Sequence, residues 1–194
     1  GVFAYFQGTA TNASPATGHA EVIAHGVAQL PAARVAWKVS NLTAKIIADE
    51  PLANYALGFA YAPTDPIVVN DYDTGAQTQL ASGQAVFVAD GAAQQHASLG
   101  TGNASYTEIS LVAEADAPNP DNVFAAPTGS RALNLVRDVL GQGEKTSIAD
   151  TGAPILIVAG SGSITVTSSA GTQTLKPGAV GVFSGDVSIA RSNF

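Results

Sequence analysis

The 194 residues carry 15 Asp and Glu against 8 Lys and Arg, a formal net charge of −7, with 46% apolar and 12% charged side chains. This balance excludes a disordered chain and is enough for a sizeable core. The few cations form no run, which excludes nucleic acid as a partner, and the absence of cysteine excludes disulfides, thiol catalysis and cysteine-bound metal centres.

Val2, Phe3, Ala4, Tyr5 and Phe6 open the chain as a strand that is apolar on both faces, so it needs cover on both sides. A polar connection follows to Gly18. Glu21 to Leu30 and Arg34 to Leu42 read as strands separated by Pro31. Val35, Trp37 and Val39 share a face of the second, where Trp37 is a core anchor. Ala44 to Ala48, Ala56 to Tyr61 and Ile67 to Asp71 are short strands, with Pro51, Pro63 and Pro66 breaking the regions between them. After a turn at Asp73-Thr-Gly75, strands are expected at Gln77 to Leu80, Ala85 to Ala89 and Ser105 to Val112.

Pro118, Pro120 and Pro127 stiffen a linker within Ala115 to Thr128. Ala132 to Leu140 reads as a strand or as a short helix, because Leu133, Val136, Val139 and Leu140 nearly line one side. Further strands follow at Thr146 to Ala149, Pro154 to Ala159, Ser163 to Ser168, Gly171 to Leu175, Gly181 to Phe183 and Val187 to Ala190. This spacing is that of an all-β sandwich or barrel. No apolar run approaches the roughly 20 residues of a membrane helix, so no membrane-spanning segment is expected.

Two segments repeat one grammar. LASGQAVFVADGAAQQHASLG (Leu80 to Gly100) and LKPGAVGVFSGDVSIAR (Leu175 to Arg191) each place Leu-x-x-Gly before an apolar strand, a small turn and another strand. With its Gly160-Ser-Gly162 turn and Ala170-Gly171 hairpin, Ile155 to Ile189 resembles a cupin, a double-stranded β-helix barrel of the jelly-roll type. It is also similar to the C-terminal barrel segment of type I mannose-6-phosphate isomerases, and Ala33 to Val112 resembles a second cupin. The resemblance implies an all-β bicupin of two jelly-roll halves with an extra N-terminal strand. Its divisions are 1–18 (strand and connection), 19–114 (first domain), 115–131 (linker) and 132–194 (second domain).

Metal-bearing cupins have a His-x-His and Glu in a first motif and a further His in a second. Here Gly83 and Gly91 match the second motif's glycines, while His96 falls two residues late. No histidine occurs from Leu57 to Leu80 or from Ala132 to Phe194, so the resemblance implies no resident metal.

Other chemistry is sparse. Asp65, Asp71 and Asp73 precede or occupy a glycine turn and offer oxygen ligands for Ca²⁺, with a solvated turn as the competing reading. Glu108 shares a strand face with Tyr106 and, with His96, is a candidate for a barrel mouth where Tyr55, Phe59 and Tyr61 line a ligand slot, with a strand-surface carboxylate and core aromatics as the competing reading. Asn12, Asn41 and Asn103 begin Asn-x-Ser/Thr triplets, which are glycan acceptors in a secretory context. Together with the lack of methionine, even at position 1, they lead to the expectation of a processed chain, secreted or at the cell surface. The expected function is noncatalytic and structural, with Val2 to Phe6 joining copies into a homo-oligomer or filament. The alternatives are a carbohydrate- or small-molecule-binding module and a divergent isomerase or oxygenase.

Overall fold

The computed structural model describes residues 1–7, 19–30 and 32–192. Asn12 and the polar connection lie outside the described residues. The chain divides into two compact units: a split unit, Gly1–Arg34 with Phe124–Phe194, and a contiguous unit, Val35–Val123. The N-terminal strand and Glu21–Leu30 therefore belong with the C-terminal segment, where the sequence reading had separated them.

Strands β1 (Val2–Phe6) and β2 (Glu21–Leu30) begin the split unit. The contiguous unit follows with β3 (Arg34–Ala44), β4 (Ala53–Tyr55), β5 (Gly58–Ala62), β6 (Ile67–Asp71), β7 (Gln77–Leu80), β8 (Gln84–Val88), β9 (Ala92–Ser98) and β10 (Ala104–Ala113). Two single-turn 3₁₀ helices, Glu114–Asp116 and Pro120–Asn122, occupy the expected linker. The split unit resumes with β11 (Phe124–Ala125), β12 (Gly129–Arg137), β13 (Lys145–Ile148), β14 (Ile155–Val158), β15 (Ile164–Ser168), β16 (Gly171–Leu175), β17 (Val180–Phe183) and β18 (Val187–Arg191).

The contiguous unit contains the antiparallel orders β3-β10-β5-β8 and β4-β9-β6-β7. The split unit contains β2-β12-β1-β14-β17 and β13-β18-β15-β16. Apart from β2, these orders correspond position by position when β12 is matched to β3 and β1 stands in for β10. The sequence repeat falls on corresponding strands. Leu80 and Leu175, each 2% exposed, end β7 and β16. The glycines three residues later have φ of 85° and 77°, a left-handed conformation that favours glycine. Gly83 N–H donates to the Ala62 carbonyl at 2.7 Å, and Gly178 N–H to that of Ala159 at 3.1 Å.

β1 pairs antiparallel with β12 from Val2↔Arg137 to Phe6↔Leu133 and with β14 from Val2↔Val158 to Ala4↔Leu156. Every residue of β1 is buried. The strand expected to add to a neighbouring copy instead spends both hydrogen-bonding edges within its own chain. β12 is extended, not helical, because β2 pairs with it from Gly129 to Arg137 and β1 from Leu133 to Arg137. Its buried run Ala132 to Val136 is the pattern that periodicity alone cannot assign.

Phe3 sits at 3% exposure in a core with Val136, Ile155, Ile157, Val166 and Ile189. Phe3→Ala is expected to destabilise the split unit by about 3–5 kcal/mol. In hydrogen exchange, the β12 and β14 amides should lose protection; unchanged protection would contradict the central placement of β1.

Candidate functional site

In the contiguous unit, alternation along strands decides which polar groups face inward. Tyr55↔Ala92, Asp71↔Gln94 and Val69↔His96 are opposed pairs, placing Tyr55, Asp71, Gln94 and His96 on one face of their sheet. In the other sheet, Tyr106 and Glu108 share a face with Ala60. Tyr106 and Tyr55 pack with Ala60, Ala62, Ile67 and Val69 in one core, so the two polar sets meet inside this unit.

His96, 1% exposed, is their centre. Its ring stacks on Tyr55 with centroids 3.9 Å apart and an interplanar angle of 15°, and meets Tyr106 edge-on at 5.6 Å. Nε2 lies 2.8 Å from Gln94 Oε1. Nδ1 lies 3.3 Å from Glu108 Oε1, at ion-pair distance but without good hydrogen-bond geometry. Tyr106 Oη donates to the same Oε1 at 3.1 Å. Gln94 Nε2 donates to Asp71 Oδ2 at 2.8 Å. Glu108 Oε2 takes no hydrogen bond among the described residues, and the Glu108 side chain keeps 16% exposure.

Burial, reinforced by the charges of Glu108 and Glu50, pushes the Tyr55 hydroxyl up to about 12. Tyr106 is pushed up more strongly, by burial first and then by Glu108. The hydrogen bond from Gln94, followed by that from Thr74 N–H, holds the Asp71 carboxyl below its ordinary range.

Tyr55, His96, Tyr106 and Glu108, four of the candidate ligand-binding residues, thus lie together. Phe59 and Tyr61 do not: their pairing with Ile109 and Thr107 puts them on the opposite face of the sheet. Phe59 packs edge-on against Phe87 there. The three aspartates offered as calcium ligands each cap backbone amides. Asp71 Oδ1 accepts from the Asp73 and Thr74 amides, Asp73 Oδ2 from that of Ala93, and Asp65 Oδ2 from that of Ser105. Among the described residues no three His, Asp or Glu side chains are grouped to hold a metal ion. His19 pairs with Glu144 at 3.0 Å on the surface of the split unit, and His25 lies exposed on β2.

Sequence reasoning missed Gln94, which has no reactive chemistry of its own. Its signal was positional: Gln94 and His96, two apart in an alanine-rich strand, must share a face.

Neither a protein-family model nor a curated protein sequence matches the chain. Among solved structures, the chain is similar to the protein YhaK from Escherichia coli, with 10% identity over 86% of this chain and 88% of that one and a TM-score of 0.41.

The raised tyrosines predict alkaline lability. A phenol with a higher folded than unfolded pKa stabilises the fold below its unfolded value of 10 and loses that contribution as pH rises through the folded value. For Tyr55 the window is pH 10 to about 12. Urea midpoints should fall across that window, and phenolate absorbance should show Tyr55 and Tyr106 un-ionised at its lower end; early ionisation of both would contradict their burial.

Proposed function

We propose that the contiguous unit is a noncatalytic binding module for an uncharged polyhydroxyl small molecule, a carbohydrate in chemical class. The observation that carries this reading is the half-used Glu108 carboxylate. Tyr106 donates to Oε1 and holds the group, with His96 Nδ1 3.3 Å from the same oxygen, while Oε2 remains to accept hydrogen bonds from ligand hydroxyls. Tyr55 supplies an amphipathic aromatic body beside it. The unit carries ten acidic against two basic residues, a field that disfavours anionic ligands. Acid–base catalysis would need a second group poised across the ligand. Tyr106 and His96 are instead turned onto Glu108 itself.

The wider proposal is a bicupin in which each unit has jelly-roll order and β1 serves as the eighth strand of the split unit. A secreted or cell-surface location completes it, supported by the exposure of Asn41 and Asn103 in their acceptor triplets. Self-assembly through Val2 to Phe6 loses its support, since that strand is buried.

Calorimetry against neutral mono- and oligosaccharides tests the binding reading. Hydrogen bonds to charged groups contribute about 1.5–3 kcal/mol, so Glu108→Gln should weaken binding about 10- to 100-fold. Absence of saturable binding, or an unaffected Glu108→Gln variant, would reject it. In natively produced protein, Asn41→Gln and Asn103→Gln should each lower the intact mass by one glycan; unchanged glycan mass would reject the secretory assignment.

A further inference from the structure

The hydrogen-bond chain behind Glu108 has only one consistent polarity. Asp71 Oδ1 already accepts from two backbone amides, and its ionised carboxylate has no hydrogen to give. The Gln94 amide must therefore turn its NH₂ toward Asp71 Oδ2, as found at 2.8 Å. That orientation aims Gln94 Oε1, an obligate acceptor, at His96 Nε2, 2.8 Å away. His96 Nε2 must then carry a hydrogen. Neutral imidazole has only one, so in that form the lock leaves Nδ1 bare, 3.3 Å from Glu108 Oε1.

We infer that Asp71 and Gln94 are positioning residues for the ligand site, locking His96 as an Nε2–H donor and directing its Nδ1 edge onto Glu108. The inference rests on the binding reading for its purpose, but its chemistry is independent of any ligand. By fixing the ring, the chain sets which His96 nitrogen faces Glu108 Oε1, the oxygen that Tyr106 holds, and leaves Oε2 to the ligand. The other groups around His96 do not supply this polarity. Tyr55 meets its face and Tyr106 its edge, while Glu50 acts on the two phenols through its charge.

The lock makes a remote prediction. In Asp71→Asn, the new amide keeps its oxygen on the Asp73 and Thr74 amides and presents NH₂ to Gln94. The Gln94 amide must then flip and present its own NH₂ to His96. Nε2 becomes an acceptor, and the ring hydrogen moves to Nδ1, toward Glu108.

The test is ¹⁵N NMR of the histidine side chains in the full chain, which has three histidines, with His96 assigned through contacts to Tyr55 and Tyr106. The expected result is a hydrogen on Nε2 in the unmodified protein and a bare Nε2 with Nδ1–H in Asp71→Asn. Gln94→Leu should also release the hydrogen to Nδ1, and Gln94→Glu, an obligate acceptor, should retain Nε2–H. A bare or scrambled Nε2 in the unmodified protein would overturn the inference, as would an unchanged ring in both Asp71→Asn and Gln94→Leu. Failure of carbohydrate binding with the lock intact would reject the binding reading alone; an unlocked ring with binding intact would reject the lock alone.

Discussion

The placement of β1 governs the architecture of the split unit. A five-residue strand whose side chains are all apolar cannot lie at a sheet edge with one face in water. It satisfies both faces and both hydrogen-bonding edges only between two other strands. β12 and β14 provide those edges. The beginning and end of the chain are thereby committed to one core, and Val35–Val123 is left in the sequence as a unit with its own pair of sheets. Pairing across more than a hundred residues also explains the element that periodicity leaves open. β12 needs apolar residues on both faces, so its pattern lacks the alternation of a half-buried strand.

Within the contiguous unit, strand alternation separates two sets of polar side chains. Asn70 and Gln95 bond on one face of their sheet, with Gln95 reaching the Ile47 and Glu50 carbonyls, and Thr107 bonds Asn41 on the outer face of the other. These contacts satisfy local groups and end there. The inward residues form a connected chain from Asp71 through Gln94 and His96 to Glu108. Polar networks in low-dielectric surroundings are costly when incomplete and orienting when complete. Here the chain ends beside Glu108, whose Oε2 takes no hydrogen bond among the described residues, and the proposed binding function rests on that oxygen.

Much of this was legible in the sequence, for physical reasons that differ by residue. The Leu-x-x-Gly repeat was readable because a buried leucine and a positive-φ glycine impose the same demands in both units. Tyr106 and Glu108 were readable as a pair because residues two apart on a strand share a face. Asp71 was open to two readings, a calcium ligand or a turn, because alternating carboxylates before a glycine also cap a tight turn, as its bonds from the Asp73 and Thr74 amides do here. Phe59 and Tyr61 were placed in the slot by composition, yet their register puts them on the other face. The role of β1 was hidden because its partners lie far along the chain, where local pattern carries no information.

The most direct measurement is a ¹H–¹⁵N NMR titration of the full chain with neutral oligosaccharides, following the backbone and glutamine side-chain signals. The account predicts saturable shifts centred on Tyr55, Gln94, His96, Tyr106 and Glu108. Shifts confined to the split unit, or none at any concentration, would show that the His96–Glu108 cluster is a satisfied polar core and would contradict the account.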